Sequence, residues 1–231
     1  MQKTMKNKKN ALLLFAKYPL RGRVKTRLQP ELSTEQAWNL YREMVFDLVR
    51  YLRHRDTFDL KIFYYPRQYL PGMKRWLGED QEYHAQRGAN LGEKMYLAMA
   101  EIFKQNYKKV IIIGSDVPTI STALINHAFW SLEIYDLILG PSFDGGYYLI
   151  GSKNLYRELF RNIQWSSENV LKQTLHRARS IFLSYFLLHE MWDIDTVDDV
   201  RRLWRLLKDH RDTRNYDYLS GTHRVLSEIF S

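Results

Sequence analysis

Four short segments carry residues whose types and spacing could do chemistry. The first, Phe15 to Leu28 (FAKYPLRGRVKTRL), sets Arg21, Arg23, Lys25 and Arg27 within seven residues around Gly22. Cations and backbone N–H groups that converge in such a loop bind phosphate oxygens. It is not a Walker A loop, because Val24 stands where that motif has a second glycine before its lysine. Taken alone, the run reads equally as a solvated basic turn. The second, Gly114 to Ile120 (GSDVPTI), offers Asp116, a hard oxygen donor of the kind that holds Mg²⁺ or Mn²⁺ against diphosphate oxygens. An Asp before a Pro also commonly does no more than shape a turn or cap a helix.

The third, Gly140 to Gly151 (GPSFDGGYYLIG), places Asp144 before Gly145 and Gly146, with Tyr147 and Tyr148 behind. The carboxylate can accept from hydroxyls, the glycines let backbone approach a ligand, and tyrosine offers a face to a sugar or base. By itself, Asp-Gly between apolar runs is better read as a hairpin turn. The fourth, Met191 to Val200 (MWDIDTVDDV), puts Asp193 and Asp195 on one side of an extended segment. Paired carboxylates repel unless a cation or proton intervenes, which suits a shared metal. Thr196 then caps a helix that carries Asp198 and Asp199 in its first turn. Two lesser segments are QRGANLGEKM (Gln86 to Met95), a turn into a helix, and WSSENVLKQT (Trp165 to Thr174), a capped helix start beside a tryptophan. The seven histidines lack metal-binding spacing, and HEMWD lacks the second histidine of a zincin.

These segments hang on alternating strands and helices. Ala11 to Ala16 and Val110 to Ile113 are continuous apolar runs, the pattern of strands buried on both faces, and each leads into one of the chemical loops. Phe58 to Tyr65, Asp136 to Gly140, Gly146 to Gly151 and Ile181 to Leu188 read as further strands. Helices are expected from the Ser33 capping box to about His54, over Leu91 to Phe103, after Ser121, and as a last long helix after Thr196. Such alternation implies parallel pairing with helices on both faces. The adjacent strands around SFDG make the sheet mixed.

Composition narrows the functional classes. The chain has 231 residues and no internal repeat or linker, so residues 11–231 are read as a single domain behind a basic, disordered tail over 1–10. No apolar run approaches the roughly 18 to 20 residues of a membrane span. The run behind the basic N-terminus is too short for an export signal, and zero cysteines suit a reducing compartment. A net charge of +9 attracts anions. Without a helix-turn-helix, zinc finger or aromatic RNA-binding motif, it reads as solvated surface rather than a nucleic-acid footprint.

In this order, the four segments, with QRGANLGEKM and WSSENVLKQT between them, resemble the family of small GT-A-like transferases called domain of unknown function 2064. These have also been described as arsenosugar-biosynthesis-type glycosyltransferases; phospholactate guanylyltransferases are more distant relatives. The likeness runs from Ala11 to Leu207, and the joint pattern is far more specific than any one segment. It implies an α/β, three-layer, Rossmann-like GT-A (nucleotide-diphospho-sugar transferase) fold with a mixed, mainly parallel sheet.

The resemblance also implies roles. A nucleotide is expected against Ala16, Lys17, Gly22, Lys25, Thr26 and Arg27 of the first loop, with Gly88, Asn90 and Ser115 completing its site. Mg²⁺ or Mn²⁺ is expected at Asp116, with Asp195, ahead of Asp193, completing the metal site or the acceptor pocket. Asp144, Gly145, Gly146 and Tyr147 would face the sugar or acceptor, which makes Asp116, Asp144 and Asp195 the expected catalytic group. Asn90 stands where the family pattern has an Asp, which argues against a metal role there; Ile120 in place of Leu should change little. The activity this suggests is metal-dependent glycosyl transfer from a nucleoside diphosphate sugar to a small-molecule acceptor, in the cytoplasm. The alternative is nucleotidyl transfer from a nucleoside triphosphate to a phosphorylated small molecule, releasing pyrophosphate. A noncatalytic nucleotide-binding module is a third reading, disfavoured by the two metal-type segments. No nucleic-acid or membrane partner is expected, and a homodimer is compatible with all three.

Overall fold

The computed structural model describes residues 9–209 and 216–231. Most of the expected basic tail, residues 1–8, lies outside them. Asn10, expected to belong to that tail, instead begins β1 (Asn10–Lys17).

The other strands are β2 (Asp59–Tyr65), β3 (Tyr83–Ala85), β4 (Lys109–Gly114), β5 (Leu137–Pro141), β6 (Tyr147–Ser152) and β7 (Tyr185–Leu187). They form one sheet in the order β3-β2-β1-β4-β6-β5-β7. Neighbours are parallel except β6, which runs antiparallel to both β4 and β5. The mixed, mainly parallel sheet read from the sequence is therefore present. Residues of β1 alternate between its two faces, Leu12, Leu14 and Ala16 on one and Ala11 and Leu13 on the other, and all five are buried. A strand covered on both sides has no polar position to offer, which is why its sequence is a continuous apolar run.

Helices α1 (Thr34–Leu52), α2 (Leu70–Leu77) and α4 (Thr122–Ser131) cover the first face, and α3 (Leu91–Phe103) and α5 (Val170–Ser180) the second. Helix α1 is buried on two sides. Tyr41, Val45 and Leu48 meet the sheet, while Ala37, Leu40 and Met44 join a third cluster with α6 (Val197–Lys208) and α7 (Ser220–Phe230). The capping boxes at Ser33 with Gln36 and at Thr196 with Asp199 are both formed.

Several elements differ from the sequence reading. The helix after Thr196 is not the last, because α7 follows it. The strand expected over Ile181 to Leu188 shrinks to Tyr185–Leu187: the Leu183 N–H closes back on Ala178 O, and Phe182, at φ 56 and 95% exposed, turns outward. Helix α5 begins near the place expected but without a side-chain cap. The short α2 and β3 have no counterpart among the expected elements.

Candidate active site

The chain leaves β1 for β2 on one side, and β4 lies on the other, with Phe15 in register with Gly114. In an open α/β sheet, the point where strand order reverses leaves a crevice beyond the carboxyl ends. Here that crevice is about 670 Å³, a size that suits a small-molecule ligand. It opens beside a second hollow of about 600 Å³; Arg23 and Gln86 line both.

Tyr41 of α1 fixes the floor. Its hydroxyl accepts from the Lys17 N–H at 2.9 Å, donates to Lys17 O at 3.1 Å, and sits 3.4 Å from Ser115 Oγ. Burial, aided by the charge of Asp116, pushes the phenol up to about 12, so it stays neutral and ties the end of β1 to the end of β4. Nothing in the sequence separates this tyrosine from an ordinary core aromatic at helical spacing. Trp38, also on α1, shapes the following loop by donating its indole N–H to Pro19 O at 2.6 Å, with the Arg21 guanidinium 4.6 Å over its ring.

Within that loop Lys25 holds a left-handed backbone, φ 48 and ψ 42, that a non-glycine residue seldom adopts. Its side chain turns inward, is only 5% exposed, and makes three contacts: Asp116 Oδ1 at 2.5 Å, Asp195 Oδ1 at 3.1 Å and Ile194 O at 2.5 Å. An ammonium has three N–H donors, so all are engaged. Burial alone would favour the neutral amine, but the two carboxylates outweigh it and raise the Lys25 pKa above the usual lysine value. Arg27, 74% exposed, reaches the other oxygen of Asp195 at 3.2 Å.

The carboxylates arrive from three further elements. Asp116 follows β4, and its carbonyl accepts from the Ile194 N–H at 2.9 Å, which draws the DID segment to the sheet edge. The Met191 N–H to Pro141 O and Phe143 N–H to Met191 O bonds, at 3.1 and 3.3 Å, hold the same segment against the turn after β5. In that turn Asp144 accepts from Ser142 Oγ at 2.5 Å and the Gly146 N–H at 2.9 Å. Asp193 lines the crevice beside them. Burial, and then the negative charges of Asp144 and Asp195, push its carboxyl up to about 6. The excess of negative charge at this point is thus felt by one of its own members.

Ala16, Lys17, Thr26, Gly146 and Tyr147 also line the crevice. Tyr147 does so with its hydroxyl buried, and Tyr148 donates its hydroxyl to His189 O at 3.1 Å, so neither hydroxyl is turned to the opening. Gly22, Gly88, Asn90 and Gly145 stand outside the lining. The Asn90 side chain caps α3 by accepting from the Glu93 N–H at 2.9 Å. Gly145, at φ +83, makes its close approach to backbone: a Cβ there would overlap the Glu168 carbonyl, and its own oxygen accepts from the Leu171 N–H at 2.9 Å. Arg23 of the basic loop and Trp165 line the crevice too, beyond the positions that the resemblance implies. Arg23 is one of the four cations of the first loop; Trp165 carries no signal that separates it from a core aromatic.

The family model described as uncharacterized protein conserved in bacteria, DUF2064, matches residues 48–167. The chain belongs to the DUF2064 family. It is 30% identical over 201 residues to a 2-phospho-L-lactate guanylyltransferase of Methanocaldococcus jannaschii, covering 86% of this chain and 83% of that one. A crystal structure of a candidate nucleotide-diphospho-sugar transferase from Desulfovibrio desulfuricans G20 is 35% identical, with a TM-score of 0.86 over 96% of this chain and 98% of that one. A cytidylyltransferase from Leptospira borgpetersenii shares the fold at 10% identity, with a TM-score of 0.55 over 95% and 97% of the two chains. With these relatives, the DUF2064 chain is an enzyme of the nucleotide-dependent transferases. No helix among the described residues is long and apolar enough to cross a membrane.

Proposed function

We propose that this enzyme is a nucleotidyltransferase that takes a nucleoside triphosphate and a phosphorylated small molecule and releases pyrophosphate. The observation that carries the reading is the meeting, at the β1/β4 crevice, of the basic loop around Lys25 with Asp116, Asp144, Asp193 and Asp195. The likeness over most of the chain to a guanylyltransferase supports nucleotidyl transfer over the glycosyl transfer expected first from the sequence.

The donor set fits a hard divalent cation shared with phosphate oxygens. Among the described residues no three acidic or imidazole groups form a metal cage, but Mg²⁺ is usually bound through one or two carboxylates plus substrate phosphate and water. Asp116 would hold it, with Asp195 or Asp193 as the second carboxylate. Bound there, Mg²⁺ or Mn²⁺ supplies neutralisation of charge on the phosphate chain. Lys17, Arg23 and Arg27 orient that chain and favour the charge that grows on the leaving pyrophosphate. An oxygen of the acceptor phosphate attacks the α-phosphorus, and the bond from that phosphorus to the bridging oxygen breaks. The attacking oxygen is already anionic, so the step needs no general base. One domain beginning at β1 serves this chemistry, and the absence of cysteine supports a reducing compartment such as the cytoplasm.

Glycosyl transfer from a nucleoside diphosphate sugar is the second reading. Two observations favour it: the 35% identity to the Desulfovibrio protein, and the Asp193 carboxyl near 6, which suits a base for a hydroxyl acceptor. A thermal-shift screen with Mg²⁺ separates the two, because ligands that bind the native state raise its melting temperature. Triphosphates should raise it more than nucleoside diphosphate sugars; the opposite order would favour the second reading.

A further inference from the structure

Lys25 occupies an unusual position for a residue of a phosphate-binding loop. Its side chain is buried where those of the loop's other cations are exposed, as at Arg27, which shares Asp195 with it; its three donors are engaged by Asp116, Asp195 and Ile194 O, and its backbone is left-handed. As it stands, it has no donor to give a phosphate. Its contacts also join the two carboxylates that the proposed function assigns to a divalent cation.

We propose that Lys25 is the resident counter-ion of the Asp116–Asp195 pair, so that a divalent cation enters only by displacing its ammonium from Asp116. The displaced ammonium then has a donor for the nucleotide phosphate. The inference rests on the metal-dependent reading of this site and adds a coupling to it. Cation entry and nucleotide binding become one exchange of partners: the cation takes Asp116, and the ammonium goes from carboxylate to phosphate. In the absence of nucleotide the exchange is unfavourable, because the ammonium gives up its closest carboxylate, keeps only Asp195 and Ile194 O, and gains no new anion in return. Metal alone therefore binds weakly to the wild-type enzyme, and tightly once a phosphate is present to receive Lys25.

Lys25→Met tests this by keeping the chain length and removing the charge. Asp116 and Asp195 are 47% and 34% exposed, so both retain water when the ammonium is gone, and the fold should survive. Mn²⁺ is titrated against the full-length protein without nucleotide, following the free ion by electron paramagnetic resonance. The expected result is binding about tenfold tighter or more in Lys25→Met than in wild type, because a nearby like charge has been removed. The gain should vanish in the Lys25→Met, Asp116→Asn double variant. Equal or weaker Mn²⁺ binding in Lys25→Met, with wild-type binding still lost on Asp116→Asn, would overturn the counter-ion role while leaving the metal at Asp116. Absence of Mn²⁺ binding in both proteins, with and without a triphosphate, would overturn the metal reading and this inference with it.

A second measurement uses wild-type protein and does not depend on the variant folding. Mg²⁺ added without nucleotide should shift the ¹⁵Nζ resonance of Lys25 as the cation saturates, and an unmoved resonance at saturation would contradict the displacement.

Discussion

Lys25 Nζ lies 2.5 Å from Asp116 Oδ1, joining the loop after β1 to the loop after β4 across the mouth of the crevice. The contact brings the basic segment and the metal-type segment into one electrostatic unit. Their charges depend on each other, and so do the effects of changing them.

Asp116→Asn should leave a folded protein, because Lys25 keeps Asp195 and Ile194 O and the amide keeps the side chain's shape. Transferase activity should fall by about a hundredfold or more as an anionic oxygen is lost from the phosphate site. Steady-state kinetics across a Mg²⁺ series, beside a circular dichroism melt, checks both halves. Near-wild-type turnover would move the catalytic carboxylate elsewhere.

Arg27 is 74% exposed and touches only one oxygen of Asp195. Its loss should hardly alter stability, since exposed ion pairs contribute little. Nucleotide affinity should nevertheless drop about tenfold in Arg27→Ala, because a charge-assisted bond to phosphate is removed. Calorimetric titration with a nonhydrolysable triphosphate measures it, and an unchanged Kd would assign Arg27 to Asp195 alone.

Asp47, buried midway along α1, accepts from the N–H and hydroxyl of Thr222, the latter at 2.9 Å, and so holds the first turn of α7. Asp47→Ala leaves those buried donors unmatched and should destabilise the fold by about 1–3 kcal/mol. Asp47→Asn retains an acceptor oxygen and should lose less. Urea unfolding of both variants checks the order; equal losses would tie the effect to charge rather than to the acceptor.

His84 on β3 sits between two acids, with Nε2 2.9 Å from Glu82 Oε1 and Nδ1 2.5 Å from Glu101 Oε1. Burial disfavours its charge, but the bonds and charges of Glu82 and Glu101 outweigh that and raise its pKa above 6.5. The stabilisation is fully present below the unfolded value and is lost as pH rises through the raised folded value. The melting temperature of the wild type should therefore fall from about pH 6.5 upward, and that slope should flatten in His84→Gln. Parallel pH profiles for the two proteins would mean that other groups set the dependence.

The strands that position the site were legible because burial on both faces leaves an unmistakable trace, as in Leu12 to Leu14 and Val110 to Ile113. Ser33 and Thr196 were legible for a local reason, since a capping box is completed within three residues. Helix α2 was not, because Pro71 and Gly72 look like loop residues. Pro71 instead sits in the first turn, where its missing N–H costs nothing, and Gly72 makes room for the ring of Tyr18. The site's residue types were visible, but their pairing was not. Lys25 finds Asp195 across 170 positions, a contact no local spacing reports. Asn90 and Gly145 carried local roles, a cap and a close backbone approach, under the same letters that a binding residue would use.

Nucleotidyl and glycosyl transfer leave different products. The enzyme is incubated with Mg²⁺, pooled nucleoside triphosphates, pooled nucleoside diphosphate sugars, and small molecules bearing either a phosphate or free hydroxyls, and the mixture is read by mass spectrometry. The expected products are pyrophosphate together with a phosphorylated acceptor heavier by one nucleoside monophosphate residue, and both should be lost in Asp116→Asn. Free nucleoside diphosphate with a glycosylated acceptor, and no pyrophosphate, would contradict nucleotidyl transfer.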